Sequence, residues 1–94
     1  MEKIIKQTCL VYSNIRENSN KYYIMEIKEK AGQLYYVTKY GRLGKRPTVK
    51  EKAINSIYAG ENLLDDAYYK KRKKGYVITD MDEIIATGDE FFFS

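Results

Sequence analysis

Apolar and polar residues alternate along the first part of the chain, which is typical of half-buried β-strands. Residues 9–12 predict a first strand, and the polar stretch 13–20 predicts a loop rich in turn formers. Residues 21–28 predict a second strand, whose better core face carries Tyr23, Met25 and Ile27. The opposite face of this strand carries Tyr22, Ile24, Glu26 and Lys28.

A hairpin is predicted after this second strand. Gly32, within residues 29–33, can take the positive φ of a hairpin turn, and residues 34–40 resume the alternating pattern. The period of two places Tyr40 on the opposite face from Val37. If Val37 belongs to the core, Tyr40 faces outward.

The spacing of apolar residues becomes helical beyond Pro47. Thr48 followed by Glu51 has the spacing of a capping box, which predicts a helix that ends at Gly60. The apolar stripe of this helix is formed by Ala53, Ile54, Ile57 and Tyr58.

A second helical segment is predicted from Asn62, which can cap it, through the basic run 70–74 to Gly75. Its apolar side is formed by Leu63, Leu64, Ala67 and Tyr68. Residues 76–79 then return as a final strand. Together these elements predict an α+β fold, a small twisted antiparallel β-sheet with one or two helices packed on one face.

We expect residues 1–79 to form one domain and residues 80–94 to form an acidic and aromatic C-terminal extension. Within the extension, residues 81–87 fit either one or two helical turns or a strand. The extension ends with three adjacent phenylalanines, which would promote aggregation if they were exposed. We therefore expect the domain or a partner to be contacted by Phe91, Phe92 and Phe93.

Charge is distributed unevenly along the chain. The net charge is +4, but all 17 Lys and Arg lie before residue 75 together with eight of the 13 acidic residues, which gives +9 there and −5 in the remainder. A body this basic attracts polyanions, so nucleic acid is the leading partner on charge alone. The alternative is that the charges only keep a small domain soluble.

Residue types that catalyse reactions or bind metals are scarce. The chain has no histidine, and its single cysteine, Cys9, lies in an apolar run, so we expect this cysteine in the core. The chain offers no set of soft ligands for zinc, and its acidic residues do not have the spacing of a calcium-binding loop. We predict no enzymatic activity, cofactor or metal. Because we find neither a long apolar stretch nor a secretion signal in the sequence, we expect an intracellular protein with no membrane partner. It would be cytoplasmic, or nuclear if the source is a eukaryote.

A basic and aromatic cluster surrounds residues 40–44. This segment is too short for a nucleotide-hydrolysing P-loop. The neighbouring cations are Lys39, Arg42, Lys45, Arg46, Lys50 and Lys52, followed by the basic run 70–74. Arginine forks onto phosphate oxygens, and a tyrosine ring stacks on a sugar or base. The alternatives are a partly buried sheet position for Tyr40, a turn cation paired with an acid for Arg42, and a solvated helix end for the basic run.

The order of these features resembles a WGR domain, the small module of DNA-dependent poly(ADP-ribose) polymerases and of various bacterial proteins. The matching pieces, between residue 8 and about residue 79, are residues 20–23, 35–37, 40–44 and 74–76 and a helix holding Ala53. The resemblance implies a twisted antiparallel sheet with a helix packed on it, and a surface that holds the end of a broken duplex by its 5′-phosphate. Tyr40 stands where the family usually has tryptophan, and Pro47 stands about where it often has another glycine.

The resemblance also implies roles for individual residues. Asn20 and Lys21 would contact backbone phosphate, and Arg42 would hold the terminal phosphate. Tyr40 would stack on the terminal sugar, and Tyr76 falls where the family has another phosphate-contacting tyrosine. The predicted nucleic-acid-binding residues are Asn20, Lys21, Tyr40, Gly41, Arg42, Lys45, Arg46 and Tyr76.

We predict a non-enzymatic module that contacts duplex DNA, at ends or breaks, through backbone and terminal phosphates. RNA remains open as the ligand. The alternative is a stand-alone protein-interaction or inhibitor module that docks on a larger protein, or on a second copy, through its sheet or its Phe-rich acidic tail. Steep salt dependence of binding distinguishes the first function from the second.

Overall fold

A five-stranded antiparallel sheet with one helix packed on it forms the part of the chain that the computed structural model describes, residues 2–81 and 84. The elements are β1 (Glu2–Asn14), β2 (Ser19–Lys30), β3 (Gln33–Arg42), β4 (Thr48–Ile54), α1 (Ile57–Lys73) and β5 (Val77–Thr79). The strand order is β4-β3-β2-β1-β5, and all neighbouring strands are antiparallel. The predicted α+β class is confirmed, with one helix on the sheet.

The first two strands are longer than the sequence pattern indicates. β1 and β2 pair from Glu2 with Lys30 to Asn14 with Ser19, so the connection predicted over residues 13–20 is correct in position but too long. A turn of four residues, 15–18, connects the strands. Polar residues continue the ladder because an antiparallel pair needs only backbone donors and acceptors at its solvated end.

The predicted hairpin at Gly32 is confirmed. Its two turn residues, Ala31 and Gly32, have φ values of 53° and 80°, and they connect β2 directly to β3. Two consecutive positive φ values belong to the turn type that matches the twist of the flanking strands.

The first part of the segment predicted as the first helix, residues 48–54, is instead strand β4, whereas residues 57–60 are helical and belong to α1. The residues of β4 pair with β3 from Thr48 opposite Tyr40 to Ile54 opposite Leu34. The backbone groups on the outer side of β3 find partners in this way, a tertiary gain that overrides the local capping-box spacing. The helix α1 begins after Ser56, whose hydroxyl accepts a hydrogen bond of 3.1 Å from the backbone N–H of Ala59.

Gly60 lies inside α1 and does not end a helix as predicted. A Cβ atom at this position would lie 2.7 Å from Cδ1 of Ile54 and 3.1 Å from two side-chain atoms of Ile27. Glycine therefore permits the close approach of the helix to the sheet, which outweighs its poor helix propensity.

Both faces of the sheet are buried. The helix-side core contains Leu10, Met25, Ile27, Ile54, Leu64 and Tyr76, which confirms the predicted core face of β2. The opposite face has a second apolar cluster of Cys9, Tyr22, Ile24 and Ile84, with Leu43 and Met81 beside it. Only the helix-side face of β2 was predicted to be a core face. The second cluster was missed because part of it is formed by Met81 and Ile84, which follow the final strand.

Cys9 lies in the second cluster and is 5% exposed, which confirms its core position. Burial, followed by the negative charges of Glu26 and Asp80, raises the pKa of its thiol to about 11. Most of the predicted element at residues 81–87 lies outside the described residues, as do Phe91, Phe92 and Phe93. No helix within the described residues is long and apolar enough to cross a membrane.

Candidate nucleic-acid interface

The candidate site lies where β2 begins and β3 ends. The antiparallel register places Lys21 opposite Arg42, and Tyr23 opposite Tyr40. Residues about twenty positions apart in sequence thus become neighbours because the hairpin folds the chain back on itself. The C-terminal half of α1 supplies Lys71 to the same place, and Tyr76 follows the helix.

Tyrosine rings form the apolar part of the site. The rings of Tyr23 and Tyr40 are stacked, with centroids 5.6 Å apart and planes inclined by 20°. Tyr12 and Tyr76 form a second, tilted pair with centroids 5.5 Å apart. Lys71 connects the two pairs, since its Nζ lies 4.5 Å from the ring centroid of Tyr23 and 5.2 Å from that of Tyr76.

Two open cavities adjoin one another around these rings. The first, of about 200 Å³, is lined by Lys21, Tyr22, Tyr23, Tyr40, Gly41, Arg42, Lys71 and Tyr76. The second, of about 240 Å³, is lined by Tyr12, Glu17, Lys21, Lys71, Lys74 and Tyr76. Lys21, Lys71 and Tyr76 belong to both. The result is a continuous concave surface with cations and aromatic rings along its walls.

Arg42 is held at the rim by its neighbours. Its Nη2 donates a hydrogen bond of 3.1 Å to the backbone carbonyl of Asn18. Its own carbonyl accepts from the N–H of Lys45 at 3.0 Å, and the next residue, Leu43, donates to the carbonyl of Asn20 at 2.9 Å. The guanidinium carries several N–H donors, so the bond to Asn18 leaves others for an anionic ligand.

Burial changes the ionisation of groups in the site. The pKa of Lys71 is lowered from its ordinary value, mainly by burial and then by the positive charges of Lys74 and Lys21. Burial is also the main reason that the pKa values of Tyr23 and Tyr76 are raised, so both phenols stay neutral and can donate a hydrogen bond. A negative ligand group beside Lys71 would reverse part of the cost of charging it.

The structure brings together five of the eight predicted binding residues, which line the first cavity: Lys21, Tyr40, Gly41, Arg42 and Tyr76. The other three line neither of the two cavities. Asn20 is exposed, and its Oδ1 accepts a hydrogen bond of 2.8 Å from the hydroxyl of Ser13. Lys45 and Arg46 are exposed in the loop after Gly44, which is held by a 3.1 Å hydrogen bond from Tyr22 to the carbonyl of Lys45.

The alternatives considered for individual residues have different outcomes. Val37 is buried and Tyr40 lies on the opposite face, but Tyr40 does not face outward as predicted, because it is a half-buried sheet residue on the helix side. Within the described part of the chain, Arg42 bonds to a backbone carbonyl and not to an acid. Lys39, counted in the basic cluster, lies on the other face, where its Nζ is 3.5 Å from the buried carboxylate of Glu26.

Lys71 is the main site residue that sequence reasoning missed, because the basic run was assigned as a whole. The helix separates its members. Lys70 is exposed and pairs with Asp66 at 3.0 Å, whereas Lys71 is half-buried among the rings. A usable signal was present in the sequence, since Lys71 follows Leu64 by seven positions and Ala67 by four, which places it on the apolar side of the helix.

Comparisons with known proteins agree with this fold. A family model described as the WGR domain matches residues 6–83. A crystal structure of a protein from Bacteroides fragilis matches with a TM-score of 0.67 and 22% sequence identity, and the match covers 84% of this chain and 21% of that one. The chain therefore spans about a fifth of that protein's length, and at this identity the likeness shows the fold alone. A search of curated proteins gives no significant match. Since the family model covers most of the sequence, the chain belongs to the WGR domain family, which is commonly nucleic-acid binding and is a binding module rather than a catalytic domain.

Proposed function

We propose that this chain binds nucleic acid without catalysing a reaction, and that it holds duplex DNA at ends or breaks through backbone and terminal phosphates. One observation carries the proposal. Lys21, Arg42 and Lys71 converge on one concave surface whose walls are tyrosine rings. Cations beside aromatic rings are the two kinds of group that a sugar-phosphate chain needs from its partner.

Arg42 is the residue proposed to hold the terminal phosphate. Its guanidinium is exposed, its backbone is tied to β2, and a planar fork matches two phosphate oxygens. Lys21 lies directly opposite Arg42 on the next strand and adds a second charge at the same rim. Lys71 adds a third from the helix side.

Tyr40 is the residue proposed to stack on the terminal sugar. Its ring is half-buried and is supported from behind by Tyr23, so its orientation is set before a ligand arrives. Preorganised rings lose little conformational freedom on binding. Asn20, Lys45 and Arg46 lie in or beside the strand and loop that flank the cavities, where they serve phosphates further from the end.

Fluorescence anisotropy at low salt tests the proposal directly. The probes are a blunt duplex with and without a 5′-phosphate, a nicked duplex, a single strand and an RNA duplex. We expect the phosphorylated duplex end to bind most tightly, and the logarithm of affinity to fall linearly with the logarithm of salt concentration. Arg42→Ala and Lys21→Ala should each reduce affinity roughly tenfold and lower the salt slope by about one.

Lys3→Ala is the matched control. Lys3 is exposed and pairs with Glu29 at the opposite end of the hairpin from Lys21, so the variant removes the same charge away from the cavities. It should bind nearly as tightly as the parent. The proposal is overturned if no probe binds more tightly than about 100 μM, the weak limit of non-specific DNA binding. Equal losses in all three variants would reduce the site to general charge attraction.

A further inference from the structure

The turn between β1 and β2, residues 15–18, is held in a defined shape. The N–H of Asn18 donates to the carbonyl of Ile15 at 3.2 Å. The side-chain oxygen of Asn14 accepts from the N–H groups of Arg16 at 3.0 Å and Glu17 at 3.3 Å. The Nδ2 group of Asn14 in turn donates to the hydroxyl of Tyr12 at 3.1 Å. Side-chain bonds of this kind fix a turn in place of regular backbone pairing.

Ile15 projects from this turn into solvent. It is 94% exposed, more than any other large apolar residue described as exposed. Turn positions favour small or polar residues, and isoleucine brings neither a backbone advantage nor a local hydrogen bond. A single exposed apolar residue is common on protein surfaces. The position of this one, beside the candidate site, is what gives it meaning.

The turn is attached to the candidate site on two sides. Nη2 of Arg42 donates to the carbonyl of Asn18, so two hydrogen bonds connect the guanidinium with the carbonyl of Ile15. Glu17 lines the second cavity together with Lys21, Lys71 and Lys74. A ligand phosphate held by Arg42 would therefore bring the bases attached to it towards the tip of the turn.

We propose that Ile15 packs against the exposed face of the terminal base pair of a duplex whose end is held at Arg42. The inference rests on the proposed function and deepens it, because it adds a contact to the base stack to the contacts with phosphate and sugar. An end of a duplex differs from its interior in offering a bare, largely apolar base face. Apolar side chains, isoleucine among them, contact bases in this way when they insert at base steps. The surface at Ile15 thus selects for ends.

Ile15→Ser tests the inference with two duplexes of the same sequence. One has open 5′-phosphorylated ends, and the other has both ends closed by hairpin loops. We expect the variant to lose roughly five- to tenfold in affinity for the open duplex, the range of a modest base contact. Affinity for the closed duplex should not change. A terminal 2-aminopurine should change its fluorescence on binding the parent protein and not on binding the variant.

Ile4→Ser is the matched control. Ile4 is a half-exposed isoleucine on β1 that pairs with Lys28, far from the turn. Equal binding by Ile15→Ser and the parent, while Arg42→Ala loses affinity, would overturn the inference and leave the proposed function intact. An equal loss with Ile4→Ser, or an equal loss on open and closed duplexes, would also overturn it. No binding by the parent would remove the proposed function itself.

Discussion

The ammonium group of Lys71 lies 4.5 Å from the ring centroid of Tyr23, so a cation of the helix rests on an aromatic ring of the sheet. The same ammonium group lies 5.2 Å from the ring centroid of Tyr76. Contacts of this kind hold the end of α1 in place and also present a partly desolvated charge at the surface of the cavities. One residue thus serves the packing of the helix and the chemistry of the proposed site.

Lys71→Gln should weaken binding of a phosphorylated duplex end roughly tenfold, because it removes one of the two cations that line both cavities. Lys70→Gln is the matched control, because Lys70 is next to Lys71 in sequence but is exposed and pairs with Asp66. Anisotropy titrations of both variants check the prediction. Equal effects would mean that only the total charge of the helix end matters.

The pH dependence of binding should report on Lys71. The pKa of Lys71 is lowered in the free protein, whereas a bound phosphate favours the charged ammonium group. When the pH is near the pKa of the free protein, binding of the phosphate is therefore accompanied by protonation of Lys71. Affinity should therefore begin to fall at a lower pH in the parent than in Lys71→Arg, whose guanidinium stays charged. Binding titrations between neutral pH and about pH 10 measure the difference, because exposed lysines are still largely charged in this range. Identical profiles would contradict it.

Glu17→Gln should strengthen binding about two- to threefold. Glu17 lines the second cavity and repels a phosphate that Lys21, Lys71 and Lys74 attract. The side chain is exposed, so the repulsion is screened and the gain is small. Glu29→Gln, at the other end of β2, removes the same charge away from the site and should have less effect. A weaker complex with Glu17→Gln would show that the carboxylate contacts the ligand favourably.

The strands around the hairpin were predictable because the information there is local. Alternation along β2 and β3 depends on neighbouring residues, and Gly32 marks the turn within the same stretch. The register of this hairpin then brings Lys21 to Arg42 with no further assumption. The strands of the hairpin therefore followed from the sequence pattern, whereas the grouping of Lys21 with Arg42 was implied by the resemblance to the WGR family.

The remainder depended on contacts that no local pattern contains. Thr48 and Glu51 have helix-capping spacing, yet the open side of β3 draws them into a strand. Gly60 resembles a helix end unless the approach of Ile54 and Ile27 is known. Lys71 was missed for a different reason, because the basic run was assigned as a whole although the spacing of Lys71 places it on the apolar side of the helix.

Gly60→Ala should reduce the free energy of unfolding by about 1 to 2 kcal/mol, since overpacking of the core outweighs the gain in helix propensity. The closest clash is with Cδ1 of Ile54, at 2.7 Å from the added atom. Ile54→Val removes that atom. In the Ile54→Val background the cost of Gly60→Ala should be smaller by about 1 kcal/mol, as a double-mutant cycle from urea titrations will show. Additive effects would place the strain elsewhere.

Cys9 should react slowly with alkylating reagents in the folded protein. Burial raises the pKa of its thiol to about 11, so at about pH 8 the thiolate is about 100-fold scarcer than for an exposed cysteine. Limited access lowers the rate further, because the residue is 5% exposed. Mass spectrometry of iodoacetamide adducts, with and without urea, measures the ratio. Comparable rates in both conditions would mean that the second apolar cluster opens readily.

Lys39→Met should destabilise the fold by about 2 to 3 kcal/mol, because it leaves the carboxylate of Glu26 buried without its cation. Glu26 is 1% exposed, and its other oxygen accepts a hydrogen bond from Gln7 at 2.6 Å. Adding Glu26→Gln should recover part of the loss. Lys3→Met, at an exposed position, is the control. Thermal and urea unfolding give the comparison, and equal stability of Lys39→Met and Lys3→Met would show that Glu26 does not need this partner.

The tight seat of α1 at Gly60 has a mechanical consequence for the distant end of the same helix. Lys71 follows Gly60 by eleven residues, which corresponds to about 16 Å along the axis. A tilt of about 5° around the glycine would displace Lys71 by about 1.4 Å, comparable to the difference between a good hydrogen bond and none. Because the helix is rigid, the close packing at Gly60 determines the position of the Lys71 ammonium group, although the two residues are not in contact.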